Sequence, residues 1–197
     1  MAEAVHELAH ETTHEAAHSG KGEARLIGLL ISVLALFLAV SEMLGKSAQT
    51  HGLALNIQAS DTWNFYQAKT IRQTMLRATL ENAKLAAPAP GAEAEKQFAA
   101  WQANIDRLES EPAKAEGRKE LLAKAQSIEH HRDEEFEKYH AYEVASLIIQ
   151  LGIVLASVAL LSSALVFAYA AGALGVLGLV VLVSAYTSFA PVMHLLH

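Results

Sequence analysis

The stretch that decides the fold runs from residue 144 to residue 197 and reads VASLIIQLGIVLASVALLSSALVFAYAAGALGVLGLVVLVSAYTSFAPVMHLLH; it contains no Asp, Glu, Lys or Arg. A helix that crosses a bilayer needs about 20 apolar residues, so this stretch is long enough for two crossings. A turn at Ser162-Ser163 divides it into two nearly equal spans, whereas a turn at Ala170-Ala171-Gly172 would leave one span too long and one marginal. We therefore predict one span at 144–161 and another at 165–187.

Three glycines, Gly172, Gly175 and Gly178, fall inside the last predicted span at a spacing of three. A phosphate-binding glycine loop follows a strand and opens a helix in a soluble domain, which is not the context here. Small residues in a membrane helix let a neighbouring helix approach closely. We expect these glycines to serve that purpose.

A third apolar segment, residues 25–45, follows a polar leader, residues 1–24. It begins too late and is too long for the short apolar core of a cleaved secretory signal, so we predict that it remains as a membrane anchor. Two polar side chains lie in the predicted spans, Glu42 near the end of the first and Gln150 in the second. An acid within a span is a candidate functional group, although Glu42 lies about one turn from Lys46 and can instead reach the membrane interface.

Residues 46–143 form the polar middle of the chain. Apolar residues at spacings of three and four predict a helix as far as about Leu85, which can continue directly from the first span. The two prolines and the glycine of residues 86–91 end that helix. The first apolar set consists of Phe65, Ala68, Ile71, Met75, Ala78 and Leu85.

Helical spacing resumes beyond this break, and after Pro112 it alternates strictly between four and three, which is typical of a coiled-coil seam. That seam consists of Leu121, Ala125, Ile128, Arg132, Glu135, Tyr139 and Tyr142. We therefore predict an all-α membrane protein with three transmembrane helices and a long antiparallel coiled-coil hairpin between the first and the second. A lone two-helix hairpin has one narrow seam to bury, so we expect it to pack with copies of itself or with a partner. The predicted organisation is a leader at 1–24, spans at 25–45, 144–161 and 165–187, a hairpin stalk at 46–143 and a tail at 188–197.

Four histidines recur every four residues in the leader, at His6, His10, His14 and His18. The sequence between them repeats H-E-x-x-H, the zinc-protease pattern. A zinc hydrolase also needs a third ligand and a folded cleft, and a four-residue repeat of His and Glu produces the pattern by itself, so we predict no enzyme here. A solvated or pairing helix, zinc binding by the imidazoles and a pH response remain open.

Composition excludes other classes. The chain has no cysteine, so neither disulfides nor thiolate metal sites can form, and its formal net charge is −6. Dispersed Lys and Arg form no basic surface for nucleic acid. We expect no catalytic residues and no cofactor apart from a candidate zinc ion at the leader.

Two distinctive stretches are residues 59–73, ASDTWNFYQAKTIRQ, and residues 131–159, which lead from His131-Arg132-Asp133 into the second predicted span. Both resemble the bacterial membrane proteins of domain-of-unknown-function family 4337, and the resemblance extends from residue 25 to about residue 183. It implies one span, a polar helical segment and a C-terminal pair of spans, without an established biochemical activity. Members often place arginines at the turn between the last two spans, where this chain has Ser162-Ser163-Ala164.

The candidate site lies in the first of these stretches. Trp63, Tyr66 and Gln67 are expected to share one helix face, with Lys69 and Arg72 on adjoining faces. Such a cluster of aromatic, amide and cationic groups is typical of a partner-binding surface. The alternative is a layer where the two arms of the stalk pack on each other.

These features predict a non-enzymatic scaffold or accessory subunit that oligomerises or binds a partner through its stalk. One alternative is an oligomeric channel or transporter subunit with Glu42 and Gln150 facing a shared interior, and another is a metal- or pH-responsive protein using the leader. The expected partners are membrane lipid and copies of the chain or another membrane protein. Basic residues near the span ends do not decide the orientation. The resemblance implies a multi-pass protein of the bacterial inner (plasma) membrane, with a cytoplasmic N-terminus and a periplasmic stalk.

Overall fold

The computed structural model of the protein describes residues 22–87, 89–162 and 164–193, with side chains as far as residue 187. Within these ranges the chain is all α-helical and contains no strand, which confirms the predicted class. The helices are α1 (Gly22–Ala86), α2 (Ala92–Glu109), α3 (Arg118–Ser162) and α4 (Leu165–Met193). The first predicted span and the first arm of the stalk therefore belong to one uninterrupted helix.

Three of the helices, α1, α3 and α4, are long and apolar enough to cross a membrane. The chain turns between Ser162 and Leu165, at the serines and not at Gly172, which lies inside α4. At this turn the Ser162 hydroxyl donates a hydrogen bond to the Val158 carbonyl over 2.7 Å. It also accepts one from the Ala164 amide over 3.4 Å. The side chain of Ser162 thus satisfies backbone groups on both sides of the turn.

The chain forms two compact units. The first contains the described residues from Gly22 to His51 and from Glu134 onward, and the second is Gly52–Asp133. In the first unit, aliphatic side chains of α1 pack with those of α3 and α4. This core contains Ile31, Leu34, Leu38, Ile149, Ile153, Ala156 and Ala171.

Two glycines of α4 mark close helix contacts in the first unit. A Cβ atom on Gly178 would lie 2.6 Å from Ile149 Cγ1 and 3.4 Å from the Ala145 carbonyl oxygen. A Cβ atom on Gly175 would lie 2.5 Å from Leu34 Cδ2, whereas one on Gly172 would have no atom within 4 Å. The expected role in helix approach therefore applies to Gly175 and Gly178 and not to Gly172.

The second unit contains the last part of α1, all of α2 and the start of α3. Its buried apolar side chains include Leu80 of α1, Ile105 and Leu108 of α2, and Leu121 and Ala125 of α3. A loop of residues 110–117 separates α2 from α3. The Glu120 carboxylate closes this loop by accepting hydrogen bonds from the Ser110 hydroxyl at 2.5 Å and the Glu111 amide at 3.2 Å.

The buried face of α1 in the second unit is not the apolar face. Every member of the first apolar set, from Phe65 to Leu85, is exposed. The residues that face the other helices are mostly small or polar, and they recur at alternating spacings of three and four. This inner series contains Ala59, Thr62, Tyr66, Lys69, Gln73, Leu76 and Leu80.

Candidate interaction surface

The inner face of α1 carries two aromatic residues of the predicted site. Trp63 donates a hydrogen bond from Nε1 to Glu129 Oε1 of α3 over 3.0 Å. The Trp63 and Tyr66 rings meet edge to face, with centroids 5.5 Å apart and an interplanar angle of 89°. Both residues therefore contribute to packing between helices of the second unit.

Gln73 joins α1 to both other helices of the unit. It is 2% exposed. Its amide nitrogen donates to the Ile105 carbonyl at 3.2 Å and to Glu109 Oε2 at 3.0 Å. Its amide oxygen accepts a hydrogen bond from Arg118 Nη1 at 2.7 Å. Both ends of the buried amide are satisfied, as a stable polar contact requires.

Arg118 completes this layer from the start of α3. Its guanidinium donates to Glu109 Oε2 at 3.0 Å and to the Tyr66 hydroxyl at 3.1 Å. The hydrogen bond from Arg118 lowers the pKa of Tyr66. The hydrogen bond from Gln73, together with the charge of Arg118, lowers the pKa of Glu109. Because these hydrogen bonds join α1, α2 and α3, we assign the polar layer (Tyr66, Gln73, Glu109 and Arg118) to holding helices together.

The remaining residues of the predicted site are divided between two faces. Lys69 Nζ lies 3.9 Å from Glu116 Oε2 and 5.3 Å from the centre of the Phe65 ring. Gln67 and Arg72 are exposed. Gln67 is thus more exposed than Trp63 and Tyr66, with which the sequence analysis grouped it on one helix face.

Four polar contributors, Gln73, Glu109, Arg118 and Glu129, were missed in the sequence analysis. Gln73 had a detectable signal, because it continues the alternating three-and-four series through Thr62, Tyr66 and Lys69. The other three lie on helices beyond a loop, and local periodicity contains no information about which charge meets which amide.

The outer face of α1 in the second unit is the first apolar set without Phe65, and all of its residues are exposed to solvent. Ile71 is 61% exposed and Met75 is 66% exposed. Beside this outer face, a groove of about 750 Å³ runs between α1 and α2. Its walls include Ala68, Ile71 and Met75 of α1 and Arg107 and Leu108 of α2. Contiguous exposed apolar surface of this kind is typical of an interaction site.

The two predicted polar residues of the spans lie together in the first unit. Gln150 Nε2 donates a hydrogen bond to Glu42 Oε1 over 3.3 Å. On the preceding residue of α1, the buried Ser41 hydroxyl donates to the Tyr142 carbonyl over 2.9 Å. These contacts join α1 to α3 within one chain.

The candidate zinc ligands His6, His10, His14 and His18 lie outside the described residues. In the part of the chain that the structure describes, no three His, Cys, Asp or Glu side chains are arranged to hold a metal ion. Zinc binding at the leader therefore stays a prediction.

Comparison with known proteins gives one result. No curated protein and no solved structure matches the chain. The model of one family, described as a domain of unknown function (DUF4337), matches residues 23–188. This match includes α1 apart from Gly22, all of α2 and α3, and most of α4, and it confirms the resemblance drawn from the two motifs. The chain therefore belongs to the DUF4337 family.

Proposed function

We propose that this protein is a non-enzymatic membrane scaffold whose apolar segments anchor it in the bacterial inner membrane and whose outer α1 face binds a second copy of the chain. The outer face is defined as Ala68, Ile71, Met75, Ala78 and Leu85. In this proposal the N-terminus is cytoplasmic and the second unit is periplasmic.

The observation that carries the proposal is the exposure of the outer face. It lies in the second unit and beyond the predicted first span at residues 25–45, so in this proposal lipid does not account for it. The inner series that includes Gln73 and Leu80 already packs against α2 and α3. At 100° per residue, Ile71 and Met75 lie on the opposite side of the helix from Gln73. A helix that buries polar residues and exposes Ile and Met has a second partner.

The spacing of the outer face favours a helix as that partner. From Ala68 to Leu85 the positions alternate between three and four when Asn82 is included, which is the repeat of a coiled-coil seam. A second copy presents the same seam and pairs with it by two-fold symmetry. Asn82 then faces Asn82 of the partner subunit, and a buried Asn at a seam position selects one register and one number of strands.

A cysteine experiment tests this contact directly, since the chain contains no cysteine. Single variants Ile71→Cys and Met75→Cys are oxidised in native membranes and separated without reductant. We expect each to form a disulfide-linked dimer. The matched control is Arg77→Cys, which is also exposed but lies off the outer face. Equal cross-linking at all three positions, or at none, would contradict the proposal.

We also infer that the two arms of the second unit form an antiparallel hairpin with a heptad seam. Three contacts support this arrangement because their partners run in reverse order: Asn56 with Arg132, Trp63 with Glu129 and Tyr66 with Arg118. The burial of Leu121, Ala125 and Ile128 at the predicted seam positions supports it as well.

The contact between Glu42 and Gln150 favours a second candidate function, an oligomeric channel or transporter subunit. A hydrogen-bonded carboxylate within apolar segments is typical of ion or proton pathways. Purified protein in liposomes tests this alternative. Ion flux that is abolished by Glu42→Gln supports a channel, and a reconstituted oligomer without flux argues against one.

A further inference from the structure

A small polar cavity lies in the first unit at the level where the apolar segments of α1 and α3 end. Its volume is about 280 Å³, below the usual range for sites that enclose a whole small molecule. At this level α1 and α3 pack at van der Waals distance, since a Cβ atom on Gly45 would lie 3.4 Å from Tyr142 Cβ. The cavity is therefore large enough for the polar headgroup of a lipid but not for a whole phospholipid.

The cavity carries charges of both signs. Lys46 supplies an ammonium group, and Glu42 and Glu143 supply carboxylates. Among the side chains that the structure describes, none forms an ion pair with Lys46 within 4.0 Å. Within the described residues, the two carboxylates have only long contacts. Glu42 accepts one hydrogen bond at 3.3 Å, and Glu143 lies 3.5 Å from both the Tyr139 hydroxyl and His140 Nδ1.

Two serine hydroxyl groups lie beside these charges. Ser41 and Ser146 both line the cavity, and each donates its hydrogen to a backbone carbonyl of α3. Ser41 is fully buried, whereas the Ser146 oxygen keeps lone pairs that can accept a further hydrogen bond. The exposed apolar side chains of Met43 and Leu147 directly follow the cavity residues Glu42 and Ser146, so apolar surface adjoins the charges. A ligand with a polar head and an apolar tail suits this combination.

We propose that the cavity binds the phosphoethanolamine headgroup of a zwitterionic phospholipid. Lys46 contacts the phosphate, and Glu143 and Glu42 accept hydrogen bonds from the primary ammonium group. A glycerol headgroup offers no cation to the carboxylates. A choline headgroup offers a cation without N–H donors, so its pairing with a carboxylate is weaker. The inference rests on the membrane insertion of the proposed function and is independent of self-association.

Native mass spectrometry of the delipidated full-length protein tests the proposal. The probes are phosphatidylethanolamine, phosphatidylglycerol and phosphatidylcholine with identical acyl chains. We expect about fivefold greater retention of the ethanolamine lipid than of the other two, as one additional hydrogen bond of ordinary strength provides. Equal retention of the three lipids would overturn the proposal, and so would full displacement of the ethanolamine lipid by free phosphoethanolamine at the same concentration.

Matched variants test whether the preference for the ethanolamine lipid arises in the cavity. Lys46→Gln and Glu143→Gln are each expected to reduce ethanolamine lipid retention by about fivefold. Lys84→Gln and Glu81→Gln, at exposed positions of α1 in the second unit, are expected to leave it unchanged. Unchanged retention in the cavity variants, with helix content preserved by circular dichroism, would overturn the assignment.

An alkaline carbonate wash of membranes separates the possible failures. Protein that stays in the membrane but shows no lipid preference disproves the headgroup site alone. Protein that is released by the wash disproves membrane insertion, and with it both proposals.

Discussion

At the scale of the residue, Gln73 is the side chain that links all three helices of the second unit. Its side chain contacts two helices other than its own through three hydrogen bonds. A buried amide without partners costs about 1 to 3 kcal/mol, so a site of this kind stabilises only the arrangement that satisfies it. Gln73 therefore selects the relative position of α1, α2 and α3 in this unit.

Replacing Gln73 tests this role. We expect Gln73→Leu to lower the free energy of unfolding by about 1 to 3 kcal/mol, because Glu109 and Arg118 lose their amide partner. The measurement is thermal unfolding in detergent, followed by circular dichroism. Gln67→Leu makes the same change at an exposed site of the same helix and is expected to shift stability by no more than about 0.5 kcal/mol. Equal effects of the two variants would contradict the assignment.

Acid is expected to weaken the polar layer through Glu109. The pKa of Glu109 in the folded protein lies below its ordinary value of 4.5, chiefly because of the hydrogen bond from Gln73. The resulting stabilisation is complete above pH 4.5 and decreases as the pH falls from there through the lowered pKa. The midpoint of thermal unfolding should follow this decrease, and it should fall less steeply with acid in Glu109→Gln. Parallel pH profiles for the two proteins would show that another group is responsible.

Sequence reasoning reached the motif residues but not their contacts. It selected Trp63 and Tyr66 because aromatic side chains beside cations are recognisable in a sequence. Arg118 could not be assigned, because it meets Tyr66 only after two breaks in the chain bring α3 back against α1.

At the scale of the element, α1 has two seams with the same repeat. Alternation of three and four describes both the inner series through Gln73 and the outer face through Ile71 and Met75. Periodicity therefore predicted the helix correctly but could not show which seam is buried. The usual assumption that the apolar seam faces the core is wrong here, because polar hydrogen bonds hold the inner face.

The close contact of α4 with α3 in the first unit depends on Gly178, which has no side chain. We expect Gly178→Ala to cost about 1 to 3 kcal/mol, because the added methyl group overlaps Ile149 and reaches the backbone of Ala145. Gly172→Ala is the matched control, since its methyl group meets no atom within 4 Å. Thermal unfolding in detergent distinguishes the two variants. Equal loss of stability in the two variants would contradict the prediction, because it would mean that close helix contact is not the reason for glycine at position 178.

At the scale of the whole molecule, the three apolar segments were predictable because hydrophobic length is a local property of sequence. The turn at the serines was predictable for the same reason, because only a turn there divides the apolar stretch into two spans of suitable length. Self-association is a different kind of claim, because it depends on which exposed surface finds a partner. The exposed outer face of α1 became visible only when the inner face had been assigned to α2 and α3.

The mass of the gently extracted complex, measured by native mass spectrometry with protein identification, tests the central claim most directly. The account predicts a species containing at least two copies of the 21.2 kDa chain. It also predicts a shift to single chains in the double variant Ile71→Glu with Met75→Glu, because charges on the outer face oppose pairing. A wild-type species of one chain would contradict the account, and so would a complex in which another protein, in fixed ratio, replaces the second copy.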